Sequence, residues 1–157
     1  MITALVGASI TPAFGQSPPL PANATLVAAG LEGPRGLRFG PDGDLYVAEA
    51  GTGGSTSTAG KCTQVPTPPG PYTGGLTARI SKISHNGTRT TVASGFPSTI
   101  SAGGTIGVAD VVFLDGDLYA AVAGGGCSHG NANSPSGIAK VNLKNGNGIS
   151  SPISAHG

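Results

Sequence analysis

The sequence predicts an all-β protein: a β-propeller fragment of two four-stranded blades plus an N-terminal closing strand. Three observations predict it. The 157 residues include 28 glycines and 13 prolines, about a quarter of the chain, and both residue types weaken helix interiors. Only 10% of residues are charged but 38% are hydrophobic, grouped in short runs bounded by Gly, Pro, Asn and Asp. Disordered chains usually carry more charge than this, and short punctuated apolar runs read as strands. The third observation is a repeat. Asp42-Gly43-Asp44-Leu45-Tyr46-Val47-Ala48-Glu49-Ala50-Gly51 recurs as Asp115-Gly116-Asp117-Leu118-Tyr119-Ala120-Ala121-Val122-Ala123-Gly124, with eight of ten positions identical. Self-similarity at a fixed spacing is the signature of repeat architectures, and four-stranded antiparallel units repeated in sequence are propeller blades.

The elements follow in order. Residues 1–15 form a signal-peptide-like apolar segment, with small Ala13 and Gly15 at a cleavage site and Gln16 as first mature residue. No Lys or Arg precedes the apolar run. Residues 16–24 are a Pro-rich linker. The blades occupy 25–157, divided into 25–95 (closing strand and first blade) and 96–157 (second blade). Residues 25–29 read as an outer strand with no inner strands before it. The first blade has strands at 36–39, 45–50, 78–84 and 88–94. The second has them at 110–114, 118–123, 137–143 and 149–154.

The flanks of the repeat match as well. Gly30-x-x-Gly33, Leu37 and Phe39 correspond to Gly104-x-x-Gly107, Val111 and Phe113. Ile80-Ser81-Lys82-Ile83 before Asn86-Gly87 corresponds to Ile138-Ala139-Lys140-Val141 before Asn145-Gly146. Asp-Gly and Asn-Gly supply the positive φ of tight hairpins, and Tyr46 and Tyr119 suit a pleated, half-buried surface. Two blades leave sheet faces uncovered, and propellers typically have about four to eight, so the remaining blades are expected in a longer chain.

The run from Gly30 through Gly51, with Pro34-Arg35-Gly36-Leu37 and Asp42-Gly43-Asp44-Leu45-Tyr46-Val47-Ala48-Glu49 at its centre, resembles the opening blade of the ScyD/ScyE family. So do the Gly-rich, Cys-containing loop after it and Gly107-Val108-Ala109-Asp110-Val111-Val112-Phe113. The resemblance covers residues 25–143, and its first half is shared with the broader NHL and gluconolactonase-like propellers. It implies an exported propeller of several blades, with no catalytic residues to carry over. The chain departs from the family by stopping after two blades.

The chemistry-bearing residues are few. The loops 51–77 and 124–136 occupy equivalent corners of the two units, and each carries one cysteine, Cys62 and Cys127. In an exported protein such a pair is expected to form a disulfide. Metal binding through Cys127-x-His129 lacks the four ligands such sites need. Glu32, Arg35, Glu49 and Asp110 flank the inner strands, which line a propeller's central channel, and are the candidate ligand-binding residues. Arg35 and Asp110 alternatively pair as a structural salt bridge between blades. Asp42, Asp44, Asp115 and Asp117 lack the terminal Glu of a calcium loop and read as turn residues that bond backbone. No Gly-x-Ser-x-Gly elbow is present, and His85, His129 and His156 have no partner that the sequence identifies.

Two functions follow. The first is an exported, secreted or periplasmic, non-catalytic binding or scaffold protein whose partner is an unassigned small molecule or protein. The second is a metal-dependent gluconolactonase-like hydrolase. There Glu32 in Glu32-Gly33-Pro34 holds a divalent metal that polarises a lactone carbonyl. With eight basic residues spread along the chain against seven acidic ones, no patch exists to neutralise phosphates, which excludes nucleic acid. The N-terminal apolar run is too short for a transmembrane span.

Overall fold

The structure, a computed structural model, describes residues 20–143 and the backbone of a strand at 149–152. The signal-like segment 1–15, Gln16, Asn145-Gly146, His156 and the end of the expected strand 149–154 lie outside the described residues. The protein is all-β, and no α-helix occurs among the described residues. The strands are β1 (Pro34–Phe39), β2 (Leu45–Glu49), β3 (Thr73–Ile83), β4 (Arg89–Ser101), β5 (Gly104–Ile106), β6 (Val108–Leu114), β7 (Asp117–Val122), β8 (Gly137–Val141) and β9 (Ile149–Pro152). They form two antiparallel sheets in simple sequence order, β1-β2-β3-β4-β5 and β6-β7-β8-β9.

The turns carry out what their residues demand. Asp115 and Gly116 both adopt positive φ, 51° and 83°, which is the backbone of a tight two-residue hairpin between β6 and β7. The β1–β2 turn is one residue longer. Gly43 takes φ 79°, and Asp42 Oδ1 accepts the Asp44 N–H at 3.2 Å. At the β3–β4 turn, Asn86 Oδ1 accepts the Thr88 N–H at 3.0 Å and Gly87 is left-handed.

Two expectations are corrected. The first sheet has five strands, not four. β3 and β4 run on past an irregularity at Gly75/Ala78, pairing Thr73–Gly75 with Ser98–Ile100, and β5 then folds back on β4. The loop expected at 51–77 therefore ends at residue 72. The outer strand expected at 25–29 does not form. A strand needs a neighbour's N–H and C=O groups, and among the described residues no strand pairs with this segment. It lies against the β3–β4 turn at Gly87 with Leu26 and Val27 exposed.

The core lies between the two sheets. Side chains alternate across each strand, so one face of the first sheet supplies Tyr46, Ala48, Ala78, Ile80, Ala93 and Phe96. The second sheet answers with Val108, Val111, Leu118, Ala120, Val122, Ala139 and Val141. Phe96, Ile80 and Leu118 are fully buried, each stabilising the fold by roughly 1.5–3 kcal/mol. β6 lies against β1 and β2. Tyr46 meets Phe113 edge-to-face with centroids 4.8 Å apart. Gly36 lets the strands approach, since a Cβ there would sit 1.9 Å from Asp110 Oδ1.

Candidate functional site

Of the four candidate ligand-binding residues, Glu32 and Glu49 converge and the other two do not join them. Glu49 ends β2 with its side chain completely buried. Arg79, opposite it on β3, donates from Nε to Oε1 at 3.1 Å and from Nη2 to Oε2 at 2.9 Å. The Glu32 N–H reaches Oε2 at 2.5 Å, the Ser81 hydroxyl donates to Oε1, and Arg89 Nη1 stands 3.8 Å from Oε1. Glu32's own carboxylate lies 3.5 Å from Arg79 Nη1 and is 42% exposed. Burial pushes the Glu49 carboxyl up, but Arg79, the Glu32 N–H and Ser81 together outweigh it and hold the group below its ordinary value. Both Glu49 oxygens are occupied, so this carboxylate joins β1's approach, β2 and β3. A cation at Glu32 would share it with a guanidinium.

Arg35 and Asp110 do not pair. Arg35 Nη2 donates to the Thr105 carbonyl at 2.5 Å, while Asp110 faces Arg38 Nη2 at 3.6 Å. Gly36 and Arg38 share the face of β1 that meets Asp110, whereas Arg35, at the irregularity between Pro34 and Leu37, reaches β5 at Thr105. A salt bridge does link the two sheets, three positions along β1 from the expected arginine.

Asp42, Asp44 and Asp117 of the turn acids are engaged locally. Asp42 accepts from the Tyr46 hydroxyl at 3.0 Å, and Lys82 lies 2.9 Å from Asp44. Burial pushes the Asp42 carboxyl up, but Tyr46, the Asp44 N–H and Lys82 hold it below normal overall. Burial first, and then Asp42, raises the Tyr46 phenol. Lys140 meets Asp117 at 2.5 Å in the second unit. No group of three or more His, Cys, Asp or Glu arranged for a metal occurs among the described residues.

The second cluster is a platform built by the two loops. Cys62 and Cys127 form a disulfide with Cα atoms 6.3 Å apart, as expected from the sequence. Thr58, 3% exposed, donates its hydroxyl to the Cys127 carbonyl. Gln64 Nε2 donates to the Cys62 and Thr58 carbonyls at 3.0 and 3.1 Å, leaving its buried Oε1 without a hydrogen bond. Asn131 Nδ2 joins the sheets by donating to the Ser98 and Gly124 carbonyls at 3.0 and 2.8 Å. Tyr72 stacks on His129 with centroids 4.9 Å apart. Beside this platform lies an open cleft of about 310 Å³ lined by Thr56, Thr58, Lys61, Asn131, Asn133 and Ser134.

Sequence reasoning placed the cysteines but missed Arg79, Tyr72, Asn131 and a partner for His85, which lies 3.3 Å from Asp44. Arg79 sits in a strand with no motif around it, and only the β2–β3 register sets it opposite Glu49. No family model matches the chain, and neither a curated protein nor a solved structure matches it. No helix among the described residues is long and apolar enough to cross a membrane.

Proposed function

We propose that the two sheets are neighbouring blades of an exported β-propeller of the ScyD/ScyE kind. In this reading the protein is a non-catalytic binding or scaffold module that takes its ligand on the disulfide-stapled loop platform. Support for the blade reading comes from the shared antiparallel order of the two sheets and from the way one face of each packs on the other. Support for export comes from the disulfide, since such bonds persist in oxidising compartments.

The observation that carries the binding reading is the cleft beside Cys62–Cys127. Its polar groups are hydroxyls, carboxamides and one ammonium, drawn from both loops and set beside the apolar Leu76 and Ala132. That set offers donors and acceptors in many directions but no nucleophile–base pair, so it suits recognition of a hydrogen-bonding ligand rather than its conversion. A rigid tie between two long loops preorganises their polar groups and lowers the entropy lost on binding.

Chemical-shift mapping of the full chain against small sugars, hydroxy acids and lactones tests this. Expected are shifts confined to 56–76 and 124–136, with no ligand consumed. Lactone hydrolysis that requires a divalent ion and is lost in Glu32→Gln would replace the binding reading with the hydrolase.

A further inference from the structure

A second space adjoins the polar cleft, and it is apolar. It is a hollow of about 220 Å³ with Phe96 and Pro97 of β4 on one side and Val122, Gly137 and Ala139 of the second sheet on the other. Phe96, Val122 and Ala139 belong to the core. The hollow therefore lies between the faces that the two sheets turn to each other, whatever covers their outer faces. The repeat explains why no side chain fills it. The first sheet pairs Glu49 with Arg79, and the second pairs Val122 with Gly137 at the same positions. Gly137 shares a strand face with the core residues Ala139 and Val141. A Cβ on Gly137 would meet no heavy atom within 4 Å.

Asn133 and Ser134 line both the hollow and the cleft. Backbone bonds fix this common edge. The Ser134 N–H donates to the Asn131 carbonyl at 3.0 Å, and the Gly126 N–H donates to the Ser134 carbonyl at 2.8 Å. Just beyond it, Ser136 Oγ accepts the Gly125 N–H at 3.0 Å. The Asn133 and Ser134 side chains, and the Lys61 ammonium on the cleft, make no hydrogen bond or ion pair among the described residues. A held edge thus carries free polar groups, with a cationic cleft on one side and an apolar hollow on the other.

We propose that the ligand of the loop platform is a small amphipathic hydroxy carboxylate. Its carboxylate pairs with Lys61, its hydroxyl bonds Asn133 and Ser134, and an apolar arm crosses the common edge into the hollow. The proposal rests on the binding reading above and adds the second compartment to it. An apolar cavity of about 150 Å³ takes up benzene, so the hollow has room for one aryl ring or a short branched alkyl group. Burying such an arm against Phe96, Val122 and Ala139 supplies affinity through the apolar surface removed from water. The few polar groups of the cleft orient the head.

Chemical-shift titration of the full chain with lactate, mandelate, 3-phenyllactate and 2-hydroxy-4-phenylbutyrate is the test, because the four share a head and differ in the arm. Lactate should shift the cleft residues alone. The best phenyl acid should bind at least about tenfold more tightly and extend the shifts to Phe96, Val122 and Gly137. Its methyl ester, and the acid on Lys61→Gln, should bind more weakly, since each removes one charge of the pair. Gly137→Leu fills the hollow without a clash, so its melting midpoint should not fall below the parent value. Its affinity for the phenyl acid should drop to the level of lactate. If Gly137→Leu does fall below the parent midpoint, nuclear Overhauser contacts from the ligand ring to the Val122 and Ala139 methyls in the parent decide instead, and their absence overturns the proposal. Lactate bound in the cleft with no phenyl acid binding more tightly overturns the amphipathic ligand and leaves the binding reading standing. A folded Gly137→Leu with parent affinity does the same. Failure of all four acids also overturns the proposal; failure of sugars and lactones as well removes the binding reading itself.

Discussion

Arg79 closes on Glu49 with two hydrogen bonds, 3.1 and 2.9 Å long, across the β2–β3 pair. The repeat places Val122 where Glu49 stands, and β7 pairs it with Gly137 where β2 pairs Glu49 with Arg79. One scaffold thus carries a buried ion pair in its first copy and the uncharged Val122 and Gly137 at the same positions in its second. In the second copy the space without a guanidinium is a hollow of about 220 Å³ lined by Phe96, Pro97, Val122, Gly137 and Ala139. The contrast makes the contribution of the charge measurable within a single fold.

Arg79→Ala should cost about 3–5 kcal/mol, because it leaves a completely buried carboxylate without its principal partner. Glu49→Val combined with Arg79→Met should cost much less, since the uncompensated charge disappears with its partner. Urea denaturation of the three proteins checks this; a double variant as unstable as Arg79→Ala would show that the pair itself, not charge compensation, holds the site.

Acid should weaken the fold through the same carboxylate. Glu49 titrates below its ordinary value of 4.5 when folded, burial notwithstanding, because Arg79, the Glu32 N–H and Ser81 stabilise its charged form. A folded-state pKa below the unfolded one means that the stabilisation is complete above about pH 5 and is lost as pH falls through the folded value. Asp42, lowered by Tyr46, Asp44 and Lys82 against its own burial, contributes in the same direction. Denaturation midpoints measured down to about pH 3 should fall steeply in the parent and less steeply in Glu49→Gln. Equal slopes would remove Glu49 from the account.

Reducing the Cys62–Cys127 bond, which spans 65 positions, should cost on the order of 3–5 kcal/mol through the freed entropy of the unfolded chain. Amide exchange should accelerate first at 51–72 and 124–136, where little apolar surface is buried. Unchanged exchange in both loops after reduction would mean that Thr58 and Asn131 hold the platform without the bridge.

Gly36→Ala should destabilise by about 1–3 kcal/mol, since its new Cβ would overlap Asp110 at the crossing of β1 and β6. Asp110→Ala in the same chain should recover only part of the loss, because the Asp110 Cα also lies within 2.8 Å of that Cβ. Thermal melts of the single and double variants decide it; a neutral Gly36→Ala would mean that β1 and β6 lie farther apart than described.

The strands around Tyr46 and Tyr119 were legible in the sequence because they depend on neighbours in the chain. Alternation, Asp42-Gly43, Asp115-Gly116 and Asn86-Gly87 are local signals, and the disulfide followed from equivalent loop positions in a repeat. What the chain order could not give was anything set by register or by sheet-on-sheet approach. Arg79 faces Glu49 only because β2 and β3 pair as they do. Arg38, not Arg35, reaches Asp110 because the irregularity between Pro34 and Leu37 and the approach of β5 turn Arg35 to the Thr105 carbonyl instead. The fifth strand arises because β3 and β4 resume pairing after an irregularity, which no motif announces. Local turn chemistry is encoded within a few residues. The burial of a charge, the choice between two arginines and the exposure of Phe39 are free-energy differences between whole packings, and those exist only once the two sheets have met.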